Sequence, residues 1–409
     1  MSDSSSAEFV RSTFFADGDK TQEVIFGNRI CDELGERAKS FGTHAYLVTD
    51  SGLSKAGHPQ RVCRILTSAG IKVTTYDQSK ENPSDSSVQE CAECAREAEI
   101  DLIIGLGGGS SMDTAKGCNF LVTNGGSMSD YWGINKTTHP MLPMIAIPTT
   151  AGTGSECQSF ALITNDQTRS KMACGDKKAL PRLTLLDPEL TLSQPPLVSA
   201  CTGLDALAHA LESAVTLKRN EKSMRHSQIA FHLIKENLPK IFDCPNDLNA
   251  RGKVLLGASH AGAAIERSML GAAHSMANPL TARRETFHGM AVGLALPAVM
   301  DFNASDRTVR SIYSGLSRAA GIAQDGDDEM QATQRLISWV RFLLHKAGLL
   351  CSLGKLGFET EQIDELAADA ADQWTASFNP KPIKISDFKN LYGKLFHEVS
   401  YEASFPISN

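Results

Sequence analysis

Asp101–Lys116 reads DLIIGLGGGSSMDTAK. An apolar run of strand formers stops at Gly107, Gly108 and Gly109, and a helix-forming stretch follows. Strand, glycine turn and helix in that order open a βαβ unit. Residues without side chains let a phosphate approach the backbone, and the helix N-terminus adds unpaired N–H groups and a positive dipole end. The run is not GxGxxG, and a tight strand–helix turn without any ligand accounts for it equally well.

The same alternation extends to either side. AYLVTD (Ala45–Asp50), IKVTTYD (Ile71–Asp77), MIAIPTT (Met144–Thr150) and RLTLLD (Arg182–Asp187) are further strand candidates. Helical stretches fall at His58–Ala69 and Ser86–Glu99, the latter with Asp85 or Ser86 as its cap. Spacing of this kind predicts a parallel sheet with helices on both faces. From about Pro195 the period changes. Ala200–Leu217, Lys222–Leu238, Asp247–Ala264, Ser268–Leu280, Gly289–Met300, Thr308–Ala320, Met330–Ala347, Glu361–Ala371 and Ile385–Tyr401 carry apolar residues at i, i+3 and i+4. The expectation is an α/β N-terminal Rossmann-like domain over residues 1–192 and an all-α C-terminal domain over 193–409.

The 409 residues are 42% hydrophobic and 21% charged, enough for a substantial core. This excludes a disordered chain, a disulfide miniprotein and a collagen-like polymer. The net charge of −7 argues against a nucleic-acid surface. No stretch reaches the roughly 20 apolar residues that span a bilayer. The most apolar long region, Val254–Ala277, carries Glu266, Arg267 and two histidines and reads as a buried helix pair. The N-terminal MSDSSSAEF lacks the features of a signal peptide, and the ten scattered cysteines read as reduced thiols, so a cytoplasmic location is expected. Cys91 and Cys94 form a CxxC, but it lies within a helical pattern and has no second pair.

Two further constellations carry chemistry. PTTAGTGSE (Pro148–Glu156) follows a buried strand and supplies hydroxyls and bare amides at the sheet edge where α/β proteins bind ligands; a plain polar loop is the alternative. In TGLDALAHALE, Asp205 and His209 are four apart and share one helix face, and His274 and His288 flank a helix–turn segment further on. One carboxylate and three imidazoles suit Fe(II) or Zn(II); satisfied core histidines are the alternative.

Together these segments resemble the iron-containing (group III) alcohol dehydrogenase family. AYLVTD, ENPS (Glu81–Ser84), GLGGGSSMDTAK, IPTTAGTGSE, LLDPELTL (Leu185–Leu192), TGLDALAHALE, the His274/His288 pair and NPKP (Asn379–Pro382) stand in the family's order and spacing. The resemblance implies the dehydroquinate synthase-like/iron alcohol dehydrogenase fold. It implies that Asp205, His209, His274 and His288 bind the metal, Fe(II) or Zn(II), and carry catalysis. Gly108, Gly109 and Ser110 are then expected at the pyrophosphate, Asp113 on the nicotinamide side, and Thr149, Thr150, Thr153 and Ser155 along the dinucleotide. Lys171 is expected near a ribose, and Asn82 against the cofactor. Asp50 falls where the family contacts the adenosine ribose; a carboxylate there accepts from a 2′-hydroxyl and repels a 2′-phosphate, which favours NAD over NADP. The implied reaction is hydride transfer between an alcohol or aldehyde and the nicotinamide, with a small-molecule substrate, no nucleic-acid or membrane partner, and a homo-oligomer, a dimer, as the assembly.

Three departures from the family stand out. HSMANPLT (His274–Thr281) has Asn278 where the family commonly has histidine. Glu266 and Arg267 replace small or apolar residues, and Arg283 and Arg284 stand where uncharged or aromatic residues are common. Those charges read either as a pocket for an anionic or highly polar substrate or as ion pairs involving Glu266 and Glu285. The same fold also carries glycerol dehydrogenases and dehydroquinate synthases, and a non-catalytic nucleotide- and metal-binding member is a further alternative.

Overall fold

The computed structural model describes residues 9–17, 20–168, 170–284 and 286–397. The chain divides into two compact units, Met1–Gln194 and Pro195–Asn409.

The first unit contains strands β1 (Val10–Asp17), β2 (Lys20–Phe26), β3 (His44–Val48), β4 (Lys72–Tyr76), β5 (Leu102–Gly107), β6 (Gly133–Ile134), β7 (Met144–Pro148), β8 (Phe160–Thr164), β9 (Lys171–Gly175) and β10 (Leu183–Leu186). Its helices are α1 (Leu34–Ala38), α2 (Ser51–Ala56), α3 (His58–Ser68), α4 (Asp85–Ala98) and α5 (Gly109–Asn124). Seven strands form one sheet in the order β1-β2-β10-β7-β5-β3-β4. From β2 to β4 every pairing is parallel. All residues of β3, β5, β7 and β10 are buried, as expected of strands covered on both faces. Alternate side chains feed two cores. Tyr46, Val48 and Ile103 pack with α4 and α5 residues on one face. Ala45, Leu47 and Ile104 pack with Leu34, Val62 and Leu66 on the other.

Two features were not expected from periodicity. β1 and β2 form an antiparallel hairpin at one edge, and β6, β9 and β8 form a separate three-stranded sheet. In β1, β2 and β8 exposed or half-buried residues interrupt the apolar runs that mark the central strands, while β9 is buried at four of its five positions but has no Val, Ile or Leu. The cap of α4 is also Ser84, within a reciprocal capping box with Ser87, rather than Asp85 or Ser86.

The second unit is helical: α6 (Pro196–Ser213), α7 (Glu221–Asp243), α8 (Leu248–Ser268), α9 (Ala272–Arg283), α10 (His288–Asn303), α11 (Arg307–Ala319), α12 (Glu329–Lys346), α13 (Ile363–Asp372) and α14 (Ile385–Phe396). The expected last helix runs to Tyr401, and its end lies outside the described residues. α6 is buried almost all round and packs against α7, α8 and α10, which makes it the centre of the unit. Among the described residues, no helix is long and apolar enough to cross a membrane.

Candidate metal and dinucleotide sites

α6 presents Asp205, His209 and Glu212 on one face, because positions i, i+4 and i+7 stack along a helix. His274 lies in the first turn of α9, and His288 is the first residue of α10. Gly289 permits the close approach of α10 to α6: a Cβ there would lie 1.9 Å from the Cys201 carbonyl oxygen and 3.1 Å from Asp205 Cβ.

These elements bring three imidazoles around one carboxylate oxygen. Asp205 Oδ1 lies 3.4 Å from His274 Nε2, 3.5 Å from His209 Nε2 and 3.9 Å from His288 Nε2. A tetrahedral metal with bonds of about 2.1 Å separates its ligand atoms by about 3.4 Å. Asp205, His209 and His274 are buried, while the His288 side chain is one-third exposed. Neither Asp205 Oδ1 nor His274 Nε2 makes a hydrogen bond, so the two atoms face each other without the alignment that would satisfy them. A divalent cation fits Asp205, His209 and His274, whose ligand atoms lie within 4.8 Å of one another, with His288 standing farther out at 3.9 Å from Asp205 Oδ1. Burial pushes the Asp205 carboxyl up, but His209, His274 and His288 outweigh it and hold the group well below the usual carboxylate range. Burial opposes a charged His274 ring, yet Glu212 and Asp205 lift it to about 9.

In the first unit, of the residues expected at the dinucleotide, Asp50, Gly108, Gly109, Ser110, Thr149 and Thr150 follow the ends of β3, β5 and β7, whereas Asn82 lies between β4 and α4. Gly107 has φ 148°, and a Cβ there would lie 2.4 Å from Ser111 Oγ. A Cβ on Gly108 would meet Thr150 at 3.2 Å, and one on Gly109 would meet Thr153 at 2.7 Å. The glycine run therefore packs closely against Thr150 and Thr153 of the PTTAGTGSE loop, and the absence of side chains at the start of α5 fits a pyrophosphate there. The Thr149 N–H donates to the Gly107 carbonyl at 3.1 Å. Asp50 caps α2 by accepting the Leu53 N–H at 3.0 Å, and it also accepts from Ser111 Oγ at 3.2 Å. Asn82, with φ 50°, donates its N–H to Ser110 Oγ at 3.3 Å. Ser155 Oγ donates to Asp113 Oδ1 at 3.0 Å and accepts from Lys116 Nζ at 2.8 Å. Burial raises the Asp113 carboxyl to about 6, with Lys116, Ser155 and Lys171 only partly offsetting it. Lys171 opens β9.

The family model for iron-containing alcohol dehydrogenase matches residues 21–188, and the model for the C-terminal region of Fe-containing alcohol dehydrogenases matches residues 199–396. The chain belongs to the iron-containing alcohol dehydrogenase family. It is 30% identical to the NAD-dependent methanol dehydrogenase of Bacillus methanolicus over 368 residues, covering 90% of this chain and 96% of that protein. It is 31% identical to the 1,3-propanediol dehydrogenase of Citrobacter freundii over 375 residues, covering 91% and 96%. Among solved structures, the alcohol dehydrogenase from Oenococcus oeni superposes with a TM-score of 0.87 at 29% identity, covering 91% of this chain and 98% of that one. The protein is thus an oxidoreductase, a metal-dependent alcohol dehydrogenase/aldehyde reductase that works with a nicotinamide dinucleotide.

The departures from the family pattern take on structural meaning here. Arg283 pairs with Glu365 at 2.9 Å and with Asp369, both on α13. Arg284 donates to the Gly357 carbonyl at 2.7 Å and lies over the Phe358 ring. Both arginines tie α9 to the C-terminal segments, so neither supports the anionic-substrate reading. The pairing partners also differ from the expected Glu266, and Glu285 lies outside the described residues. Arg267 donates to the Ala263 carbonyl one turn back in α8. Asn278 donates to Gln373 Oε1 at 3.0 Å.

Sequence reasoning missed several residues. Lys116, the last residue of the GLGGGSSMDTAK run, is fully buried and holds the Ser155 loop. Asn379, the first residue of NPKP, accepts the Ala272 N–H at 3.3 Å and exchanges two side-chain hydrogen bonds with Asn303. Glu212 continues the Asp205–His209 face by three residues, and that spacing was the available signal.

Proposed function

We propose that Asp205, His209, His274 and His288 hold a divalent transition metal, Fe(II) or Zn(II), and that the α/β unit binds NAD in preference to NADP, for the oxidation of small alcohols and the reduction of the matching aldehydes. The observation that carries the metal reading is the convergence of three imidazole nitrogens on Asp205 Oδ1 within 3.9 Å.

When bound, the metal supplies Lewis acidity toward an alcohol or carbonyl oxygen, and the nicotinamide supplies the hydride carrier. Asp205 contributes the one negative charge in a shell of otherwise neutral rings. Asn278 cannot titrate, so the substrate proton leaves by a route other than this side chain. Gly108, Gly109 and Ser110 receive the pyrophosphate, with Thr149, Thr150, Thr153, Ser155, Asn82 and Lys171 along the rest of the cofactor and Asp113 on its nicotinamide side. The cofactor preference is supported by Asp50, whose carboxylate sits at the end of β3 beside the glycine turn, and by the NAD dependence of the Bacillus methanolicus relative. The ten cysteines are all free thiols, which supports a reducing, cytoplasmic location. A homodimer is the assembly that the family resemblance implies, and sedimentation velocity tests it.

The functional test is a screen of metal-reconstituted protein against short alcohols, diols, glycerol and aldehydes, following NADH and NADPH absorbance. We expect metal-dependent turnover with NAD(H) preferred. Equal turnover after complete metal removal would refute the metal reading, and a preference for NADP(H) would refute the role given to Asp50.

A further inference from the structure

We propose that Glu212 is the positioning residue for His274: it holds the ring at Nδ1 so that Nε2, facing Asp205, is the nitrogen presented to the metal. The inference rests on the metal reading above and extends it to a residue outside the ligand set.

Glu212 is 3% exposed and lies one helical turn beyond His209 on the ligand face of α6. Both its oxygens are used by two consecutive residues of α9. Oε2 lies 2.5 Å from His274 Nδ1, and Oε1 accepts the Ala273 N–H at 2.7 Å. The N-cap of α9 is Gly271, which has no side chain to satisfy the exposed amides of the first turn. Glu212 and Asn379 do so instead: a Cβ on residue 271 would lie 3.0 Å from Glu212 Oε1 and 3.2 Å from Asn379 Oδ1. The carboxylate therefore docks the start of the helix and its third residue in one contact. An imidazole that donates at Nδ1 has its remaining lone pair at Nε2. In this protein that atom lies 3.4 Å from Asp205 Oδ1. A charged acceptor also makes the ring a stronger donor to a cation.

Glu212→Gln tests this with almost no change in volume. Two N–H donors meet two acceptor oxygens in the native protein, whereas an amide offers one acceptor and an NH₂. The Ala273 N–H can only donate whereas the ring can shift its proton, so the amide oxygen stays on Ala273, the NH₂ faces Nδ1, and the ring proton moves onto Nε2. The experiment titrates full-length, metal-stripped protein with Zn(II) against a chromophoric chelator, and follows the histidine rings by heteronuclear NMR with and without Zn(II). We expect one tight site in wild type, its loss in His274→Ala, and a Kd weakened by about 10–100-fold in Glu212→Gln. The wild-type His274 Nδ1–H resonance should be shifted far downfield and should be lost in the Gln variant, while circular dichroism stays native. An unchanged Zn(II) affinity in a folded Glu212→Gln protein would overturn the proposal. So would a wild-type spectrum with the metal on His274 Nδ1, a result that needs no variant. If wild type and His274→Ala take up Zn(II) alike, the metal reading fails by itself. The ring spectrum of the metal-free protein then decides the positioning role: a slowly exchanging, hydrogen-bonded Nδ1–H sustains it and a freely exchanging one ends it.

Discussion

Asp50 carries two roles that one substitution can separate. Its carboxylate caps α2 through the Leu53 N–H and stands beside the glycine turn through Ser111. Asp50→Ser keeps a capping acceptor and removes the charge, so the NAD-over-NADP ratio of kcat/KM should fall with little loss of stability. Asp50→Ala should shift the ratio in the same way and cost about 1 kcal/mol more through the lost cap. Steady-state kinetics with both cofactors and thermal melts check the pair, and an unchanged ratio would remove Asp50 from the ribose site. Asn278 is the second residue with a specific consequence. Its side chain is held by Gln373 rather than by any titratable group. Asn278→His should introduce an ionisation in the kcat profile between about pH 5 and 8, where histidine titrates. Wild type should be flatter over that window. A profile of unchanged shape in the variant would show that the position does not face the proton path.

At the scale of elements, α9 is fastened along its length by the C-terminal segments. Asn379 accepts the Ala272 N–H, Ser275 and Thr375 share a hydroxyl contact at 2.8 Å, Gln373 meets Asn278, and Tyr392 donates to the Met276 carbonyl at 2.7 Å. The arginines that looked available for an anion serve the same attachment from the other end of the helix. α10 is placed differently, by the absence of a side chain at Gly289. A methyl group there would collide with backbone at 1.9 Å, so Gly289→Ala must separate α10 from α6 or bend one of them. We expect that variant to lose bound metal and to be less stable by about 1–3 kcal/mol, the range typical of overpacking, which a lower melting temperature reports. Metal analysis of purified protein, beside Gly315→Ala as a control with open space around its Cβ, reads the effect. Native metal content in Gly289→Ala would show that His288 does not need this approach.

For the molecule as a whole, stability should depend on metal and on acid. A site that exists only in the folded protein adds about 2.7 kcal/mol when the free metal is at 100 times its Kd, so chelation should lower the melting temperature and His274→Ala should abolish that dependence. The acid response has a source outside the ligand set. His226 and His260 bring their Nδ1 atoms to 2.9 Å, an arrangement that needs one donor and one acceptor. Burial, followed by Arg267 and Arg225, lowers His226 to about 4. Burial, then His226 and Arg225, lower His260 to about 3. Unfolded histidines titrate near 6.5, so the unfolded chain binds more protons below that pH. The pair's contribution is therefore present above about pH 6.5 and is lost as pH falls toward the folded values. Replacing both histidines by glutamine should make the loss of stability between pH 7 and 5 shallower. Denaturant midpoints at the two pH values measure the slopes, and equal slopes would show that other groups carry the acid sensitivity.

What the sequence by itself determined is local or periodic. Buried parallel strands are continuous apolar runs, a glycine turn before a helix needs no distant partner to be recognised, and residues four apart on a helix share a face. From those signals the α/β and all-helical character, the glycine nest and the Asp205–His209 pair were all legible. The antiparallel β1–β2 hairpin and the second sheet were not: β1, β2 and β8 mix polar and apolar residues, β9 has no β-branched residue, and the pairings of β2 with β10 and of β6 with β9 join segments far apart in the chain. The same limit applied to partners. Spacing sets Glu212 on the Asp205–His209 face without saying what it meets there, and nothing local distinguishes Arg283 from a residue waiting for an anion. Glu212 reaches His274 across 62 positions, and Arg283 reaches Asp369 across 86. Only the packing of α6, α9, α10 and the C-terminal segments brings these charges to their partners. A buried carboxylate or guanidinium takes its meaning from what lies within hydrogen-bond reach, and tertiary structure alone sets that distance.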